Sequence, residues 1–208
     1  MEKPFRYHSD APSHTADYLW ADVLDILKSL NIDEARCFEL GCGNGAFAEQ
    51  LETAGFVVTG VDSSSSGIEL ARDRLGSDRF HARSVYDDLA TEFGRFPLVV
   101  SLEVIEHLVS PASFLSSVSS LLEDQGYLVI STPYHGYLKN LALALTNRFD
   151  FHWSPAWEGG HIKFWSVRTL TALLESNGFE VLSVRRVGRI PVLAKSMIML
   201  AQKRAVGS

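Results

Sequence analysis

Short, unbroken apolar runs alternate along the chain with segments whose apolar residues recur every three or four positions. The unbroken runs predict strands that are buried on both faces, and the wider spacing predicts amphipathic helices. Strands are predicted at 37–40, 57–62, 79–82, 96–102, 126–133, 179–187 and 196–202. Helices are predicted at 13–30, 46–51, 67–75, 110–122, 137–145 and 166–177. This alternation indicates an α/β fold on a doubly wound, mainly parallel sheet, whose last two strands pair antiparallel because their connection is short.

Three glycines at alternate positions follow the first predicted strand: Gly41, Gly43 and Gly45. A strand that breaks into a glycine turn and continues as a helix brings bare backbone close to a ligand at a helix N-terminus. Asp62 ends the second strand, 21 residues beyond Gly41, the spacing at which a strand–helix–strand unit delivers a carboxylate to ribose hydroxyls. The sequence therefore predicts a site for a nucleoside-bearing cofactor.

Charge separates the two classes of cofactor that such a turn can bind. Glu39 lies two residues before Gly41, and no Lys or Arg occurs between Cys37 and Asp62. This acid would repel the pyrophosphate of a dinucleotide, although positions 41–46 also satisfy the dinucleotide fingerprint. S-adenosylmethionine (SAM) carries a sulfonium and an ammonium, and both suit an acidic strand end. We therefore favour SAM, with an NAD-dependent oxidoreductase as the alternative.

The acid and the three alternating glycines resemble the first motif of the class I SAM-dependent methyltransferases. The resemblance covers roughly residues 35–204. It implies a Rossmann-like doubly wound sheet of seven strands in the order 3-2-1-4-5-7-6, with strand 7 antiparallel. It also implies that the acid binds near the methionine end of SAM and that Asp62 binds the ribose. The family pattern places cofactor contacts at Glu39, Gly41, Gly43, Gly45, Asp62, Ser63, Ser84 and Val85.

A second motif, Glu103-Val104-Ile105-Glu106-His107, follows the fourth strand. It matches the Glu-x-x-Glu-His of the ubiquinone-biosynthesis O-methyltransferases, and the resemblance narrows to the branch that includes them. If the segment forms a helical turn, Glu103, Glu106 and His107 share one face. Three roles stay open for this group. It can bind Mg²⁺ or Zn²⁺, it can act in catalysis or substrate contact through His107, or it can be structural.

Residues 134–165 form an insert between the fifth strand and the last helix, at the edge where open α/β sheets bind ligands. The insert holds eight aromatic residues and three histidines, which suit a pocket for a planar or apolar acceptor. The predicted substrate-binding residues are Tyr134, His135, Trp153, Trp157 and His161. The three histidines lack the spacing of a zinc site, so we expect no metal role for them.

The helix predicted at 137–145 is strongly apolar. It suits three positions: a membrane surface, the wall of a tunnel for a lipid-like substrate, or a small core packed on the sheet. The net charge of −6 offers little attraction to anionic lipids. Any peripheral membrane contact is therefore expected to be weak and insensitive to salt.

Composition narrows the function classes. The 208 residues, 46% of them hydrophobic, predict one domain spanning 1–208. The negative net charge and the lack of a basic segment argue against a duplex nucleic-acid partner. We expect no signal peptide and no membrane span, because the N-terminus is polar and no run of 18 apolar residues occurs. Cys37 and Cys42 are expected to be buried thiols, which fits a cytoplasmic location.

Together these features predict a SAM-dependent methyltransferase that acts on an oxygen of a small or lipid-like acceptor of the quinone or phenol type. Catalysis would consist mainly of placing the acceptor oxygen in line with the methyl carbon and sulfur. The family's habit of covering SAM with N-terminal residues makes 1–30 a predicted helical lid, with Tyr7 and His8 over the cofactor. A non-catalytic subunit that supports another enzyme is the second alternative. The acceptor and the oligomeric state stay open.

Overall fold

The computed structural model describes residues 6–7, 9–30, 32, 34–151, 156 and 159–205. Its strands are β1 (Arg36–Leu40), β2 (Val57–Asp62), β3 (Phe80–Ala82), β4 (Phe96–Leu102), β5 (Leu122–Pro133), β6 (Phe179–Val187) and β7 (Ser196–Lys203). Its α-helices are α1 (Ala16–Lys28), α2 (Ala46–Thr53), α3 (Ser65–Leu75), α4 (Leu89–Phe93), α5 (Pro111–Leu121), α6 (Tyr137–Leu145) and α7 (Val167–Ser176). Short 3-10 turns occur at Ile105–His107, Phe149–Phe151 and Pro191–Leu193.

Within the described part of the chain, the strands form one sheet in the order β3-β2-β1-β4-β5-β7-β6. The first five strands pair in parallel, and β7 runs antiparallel between β5 and β6. The predicted fold class, strand order and antiparallel final pair are therefore confirmed. The carboxyl ends of β1, β2 and β4 meet at one edge, and this edge carries both sequence motifs.

Two hydrophobic cores cover the two faces of the sheet. Cys37 packs on the face that holds α1 and α2, and the next residue, Phe38, packs on the face that holds α5 and α7. Both side chains are fully buried. Alternate residues of a strand point to opposite faces, so an unbroken apolar strand is what a sheet covered on both sides requires.

Local chemistry explains most helix boundaries. Pro111 opens α5 at a position where its missing N–H is not needed. Ser166 caps α7 through its side chain and forms a capping box with Thr169. Ser64 caps α3 by accepting from Gly67 N. The helix predicted at 137–145 has those bounds in the structure.

Two elements differ from the prediction. The fifth strand was predicted to begin at position 126, but β5 already begins at Leu122. Gln125 has a left-handed φ of 62° inside this strand, and the pairing register with β4 shifts between Phe96 and Leu98. Residues 124–126 thus make an irregularity in a longer strand. The short helix α4 was not predicted; Asp88 caps it by accepting from Thr91 N.

The insert starts and ends at the sheet. Tyr134 forms an isolated parallel bridge with Trp165, and His135 N donates to Trp165 O at 2.9 Å. Between these points the chain forms α6 and returns along residues 159–163. Among the described residues, no helix is long and apolar enough to cross a bilayer.

Candidate active site

The glycine turn is built on left-handed backbone. Gly41, Gly43 and Gly45 have φ values of 82°, 54° and 73°, which L side chains rarely adopt. Gly41 N and Cys42 N both donate to Val61 O, at 2.8 and 3.0 Å, so the turn is fixed to the end of β2. The alternating glycines therefore provide a rigid stretch of bare backbone directly before α2.

Close neighbours leave no room for side chains on this turn. A Cβ at Gly43 would lie within 3 Å of the Tyr7 ring, and a Cβ at Gly41 would overlap Val104. The turn therefore forms a cradle that depends on glycine and is covered on one side by Tyr7.

Asp62 is oriented by the backbone around it. Its two carboxylate oxygens accept from Gly43 N at 2.9 Å and from Ser64 N at 2.8 Å. Burial raises the pKa of Asp62, and these two hydrogen bonds oppose the rise. Each oxygen keeps a second lone pair for a further donor. The carboxylate is thus held in one orientation beside the turn, as binding to a ribose requires.

Glu39 supplies a buried acidic group on the same side. It is 3% exposed, and its Oε2 atom has no hydrogen-bond partner among the residues that the structure describes. Burial, and then the charge of Asp62, raise the pKa of Glu39 well above its usual range. A buried acid without a partner is costly unless a cationic or donor group binds it. This orphaned oxygen and the glycine cradle fit the ammonium and sulfonium of SAM.

The residues expected at the adenine lie beside Asp62. Arg83 N donates to Asp62 O at 3.0 Å, so Ser84 and Val85 follow directly after that contact. Ser63 is exposed next to Asp62. The Val85 side chain is buried in the α5 core, so only its backbone can face a ligand.

The described N-terminal residues lie across the turn. Tyr7 N donates to Ser66 Oγ at 3.0 Å. Asn44 Nδ2 donates to the carbonyls of Ser9 and Ala11, at 3.2 and 2.9 Å, and the Arg74 guanidinium donates to the carbonyl of Asp10. His8 lies outside the described residues, so its predicted place over the cofactor is not addressed.

A carboxylate and two imidazoles meet at the ends of β4 and β5. Glu106 Oε1 lies 3.9 Å from His107 Nε2 and 4.0 Å from His161 Nε2. The two imidazole rings pack edge to face with centroids 4.8 Å apart. His107 Nδ1 lies 2.7 Å from Gly159 O and donates to it, so Nε2 is the ring nitrogen that faces Glu106. One potential ligand atom from each residue lies within 4.8 Å of the others.

The unsatisfied Glu106 oxygen and the His161 imidazole suit a cation. Glu106 is 1% exposed, its Oε2 accepts from Thr132 Oγ1 at 3.0 Å, and its Oε1 has no hydrogen-bond partner within the described ranges. Burial, and then Glu103, raise the pKa of Glu106. Burial, and then His107, lower the pKa of His161 to about 4, so this imidazole is neutral at pH 7. Two imidazoles and one carboxylate form a ligand set for Zn²⁺ or another transition-metal dication.

Glu103 does not belong to this group, and the prediction that Glu103, Glu106 and His107 share one helical face is wrong. Glu103 has a left-handed φ of 56°, and only Ile105–His107 form a 3-10 turn. Its carboxylate accepts from Ser131 Oγ at 2.8 Å and from Ser196 Oγ at 3.2 Å. Glu106 instead accepts from Thr132, the next residue of β5, whose side chain points to the opposite face of the sheet.

His161 replaces Glu103 in the cluster. Ile162 N and Lys163 N both donate to Glu106 O, at 2.9 and 3.0 Å, and this pairing places His161 beside Glu106. His161, for which the sequence predicted no metal role, therefore lies in the group that could hold a cation. His161 lies 55 residues after Glu106 in the sequence, so no local pattern linked these two residues.

The other predicted substrate residues have different positions. Tyr134 is buried in the core, with the Arg186 guanidinium 5.7 Å from its ring centroid. His135 packs edge to face against Phe164, with centroids 4.8 Å apart, in an open cleft of about 530 Å³. The cleft is lined by His135, Asn140, Phe149, Asp150 and Phe164. Trp153 and Trp157 lie outside the described residues.

Comparison with known proteins adds to this geometry. The family described as "Methyltransferase domain" matches residues 13–184. The chain belongs to this methyltransferase domain family. The match includes the glycine turn, Asp62 and the Glu106 cluster, so the domain carries both halves of the candidate site.

The methyltransferase domain is similar to two curated proteins named ubiquinone biosynthesis O-methyltransferase. The protein of Bradyrhizobium diazoefficiens is 32% identical over 157 residues, which are 73% of this chain and 61% of that protein. The protein of Dinoroseobacter shibae is 28% identical over 149 residues, 70% of this chain and 60% of that protein. The chain thus spans about three fifths of the length of these relatives.

Solved structures share the fold of this methyltransferase domain. A Haloferax volcanii methyltransferase, solved in complex with the Trm112 methyltransferase activator, aligns with a TM-score of 0.71 and 14% identity over 93% of each chain. Magnesium protoporphyrin IX methyltransferase from Synechocystis, solved with bound SAH, aligns with a TM-score of 0.67 and 18% identity, over 88% of this chain and 81% of that one. The predicted resemblance to class I SAM-dependent methyltransferases is confirmed.

Proposed function

We propose that this domain transfers the methyl group of SAM to a hydroxyl of a small, ring-containing acceptor of the phenol or quinone type. The observation that carries the proposal is the Glu106, His107 and His161 cluster at the carboxyl edge of the sheet. Such a cluster can orient an acceptor hydroxyl and lower its pKa. Methyl transfer to oxygen depends on these two effects and not only on binding of the acceptor. The names of the similar curated proteins support the same class of acceptor.

The cofactor side of the site would bind SAM through groups already in place. SAM supplies a methyl group on a positively charged sulfur. Glu39 would bind its positive methionine end, the backbone of Gly41 to Gly45 would lie against it, and Asp62 would accept from the ribose hydroxyls. The site would then need to place the acceptor oxygen in line with the methyl carbon and sulfur, because this alignment by itself raises the rate of methyl transfer.

The cluster would hold a divalent cation through Glu106 Oε1, His107 Nε2 and His161 Nε2. A cation there would lower the pKa of a hydroxyl that it touches. The geometry favours this over the base-only alternative. A buried carboxylate oxygen with no hydrogen-bond partner among the described residues faces both imidazole nitrogens, and His161 is neutral near pH 7.

The N-terminal segment would act as a cover for the cofactor. Tyr7 lies against the glycine turn, and Asn44 and Arg74 fix residues 9–11 beside it. These contacts support the predicted lid, with α1 packed behind it. A covered site excludes water from the methyl-transfer step.

Calorimetry with Zn²⁺ and Mn²⁺ tests the cluster. We expect one cation to bind per chain in the wild type and none in Glu106→Gln or His161→Ala. Glu103→Gln is the matched control: it changes the other acid of the same motif, on the opposite face of the sheet, and should keep the cation. With SAM and a catechol acceptor, chelation or either cluster variant should lower turnover by about 100-fold or more, while SAM affinity stays the same.

The alternatives predict other results. Normal turnover after chelation, together with a loss in His107→Ala, would make His107 a base without a metal. A rise in melting temperature with NAD and none with SAM would indicate an oxidoreductase. Cofactor binding without methyl transfer to any phenol or catechol, but with transfer after a partner protein is added, would indicate a supporting subunit.

A further inference from the structure

The start of α1 lies on the acceptor side of the candidate site. Tyr18 Oη is 3.4 Å from Ser196 Oγ, and Ser196 Oγ donates to Glu103 Oε2 at 3.2 Å. The Lys195 ammonium lies 4.6 Å from the centroid of the Tyr18 ring. These contacts join the first turn of α1 to the end of β4 and to the start of β7. They therefore fix the residues before Tyr18 beside the edge of the sheet that carries the Glu106 cluster.

His14 lies at the tip of a turn directly before α1. Ala16 N donates to Ser13 O at 3.0 Å, and Ser13 Oγ lies 2.7 Å from Thr15 Oγ1. Thr15 is buried, so the backbone next to His14 is held in place. The His14 side chain is exposed, and no hydrogen bond engages it within the described part of the chain. Its imidazole can therefore turn towards a ligand, while its backbone position is set.

Electrostatic interactions connect this turn with the cluster. Burial, and then the charges of His107 and His14, lower the pKa of His161 to about 4. Burial also raises the pKa of Tyr18, four residues after His14, and the charge of Glu106 contributes to this rise. Charges more than about 10 Å apart are largely screened in solution. Two residues at the start of α1 thus lie within electrostatic range of the cluster.

The cluster has room for a further ligand. It supplies three donor atoms that lie within 4.8 Å of one another, and His14 is not among them in this structure. An exposed imidazole can approach such a group by rotation about its side-chain bonds. A dication that takes six ligands would keep two open positions after it binds four protein groups. Two open positions match the adjacent oxygens of a catechol-type acceptor.

We propose that His14 is the fourth protein ligand of the cation that the Glu106 cluster would hold. This role rests on the cation site of the proposed function and extends that site to the N-terminal cover. Tyr7 and residues 9–11 already contact the cofactor side. A cation bound to His14 would fix the other end of the same segment on the acceptor side. Cation binding would therefore hold the cover closed over both halves of the site.

Calorimetric titration of the full chain with Zn²⁺ tests this role. We expect His14→Ala to weaken Zn²⁺ binding about 10-fold or more, because it removes a direct bond to the ion. His81→Ala is the matched control. It removes a part-buried histidine from β3, at the far end of the sheet, and should bind Zn²⁺ like the wild type. Glu106→Gln should bind none, and the melting temperature of each variant checks that it is folded.

Hydrogen exchange tests the effect on the cover. In the wild type and in His81→Ala, Zn²⁺ should slow amide exchange of residues 9–18 about 10-fold or more, since a ligand stabilises the closed state that it binds. In His14→Ala, saturating Zn²⁺ should leave this exchange unchanged. Mass spectrometry of peptic fragments measures the rates, and a fragment from α7 serves as the internal reference.

Equal Zn²⁺ affinity in His14→Ala and the wild type would overturn the proposal, as would equal protection of residues 9–18 or an equal loss in His81→Ala. If Glu106→Gln loses the ion while His14→Ala keeps it at full affinity, this proposal alone fails. If the wild type binds no cation, the cation site of the proposed function fails with it. If Zn²⁺ binding requires His14 but no phenol or catechol is methylated, the ligand role stands and the proposed methyl transfer fails.

Discussion

The cofactor side of the site is held mainly by backbone groups, whereas the acceptor side is held by side chains from distant parts of the chain. Asp62 accepts from two backbone amides within 19 residues of it, and the turn is bonded to Val61. Glu106 instead depends on Thr132, 26 residues away, and on His161. The first half can therefore be recognised from a local pattern, and the second requires the fold.

The largest expected effect breaks the cofactor half alone. Asp62→Ala removes a charge-assisted contact to the ribose and the acceptor for Gly43 N. SAM affinity should fall by about 2–3 kcal/mol, or roughly 30–150-fold. Isothermal titration calorimetry measures this, with Asp73→Ala, an exposed acid on α3, as the control. Unchanged SAM affinity in Asp62→Ala would contradict the cofactor assignment.

A smaller effect should separate the acceptor half. Phe164→Ala removes the ring that packs against His135 in the cleft. The KM of a ring-containing acceptor should rise about 10-fold, the size of one aromatic contact, while SAM affinity stays the same. Steady-state kinetics with both substrates varied measures the split. Ile162→Ala, which changes a half-exposed residue two positions earlier, is the control. An equal rise in KM in this control would mean that the cleft does not bind the acceptor.

The smallest expected effect is a pH dependence of the free energy of unfolding that arises from Lys139 in α6. Burial, and then the charge of Arg189, lower the pKa of Lys139 to about 8 from 10.5, and its Nζ donates to Tyr134 O. Between these pH values the unfolded chain holds a proton that the folded chain has lost. This group therefore destabilises the fold below about pH 8, and stability rises as pH increases towards 10.5.

Urea unfolding of the wild type and Lys139→Met at several pH values tests this assignment. The free energy of unfolding of the wild type, relative to that of Lys139→Met, should increase as pH rises from about 8 to 10.5. Groups that titrate in both proteins cancel in the comparison. A difference that stays flat with pH would mean that Lys139 keeps its ordinary pKa.

Elements with local causes were predicted closely. The apolar run of α6 and the serine before α7 are enough to place those helices, because periodicity and capping depend on neighbouring residues. Gly41, Gly43 and Gly45 identify the cofactor turn for the same reason: only glycine adopts such backbone readily.

The acceptor side was predicted less well because its causes are not local. Nothing in the residue type of Glu103 indicates a left-handed backbone, yet that conformation sends its carboxylate to Ser131 and away from Glu106. His161 reaches the cluster through backbone hydrogen bonds to Glu106 O, which no spacing rule contains. The early start of β5 has a similar origin, in the left-handed φ of Gln125.

Ser131 and Thr132 are adjacent in β5 and point to opposite faces of the sheet. The number of residues in this strand therefore determines which acid each hydroxyl contacts. Adjacent hydroxyls send one acid towards α1 and the other towards the histidines. A single inserted or deleted residue between Tyr127 and Ser131 would exchange the two hydroxyls between the layers of the fold. Each acid would then lose its own donor. The two acids therefore constrain the residue register of β5 in a way that the hydrophobic pattern alone would not.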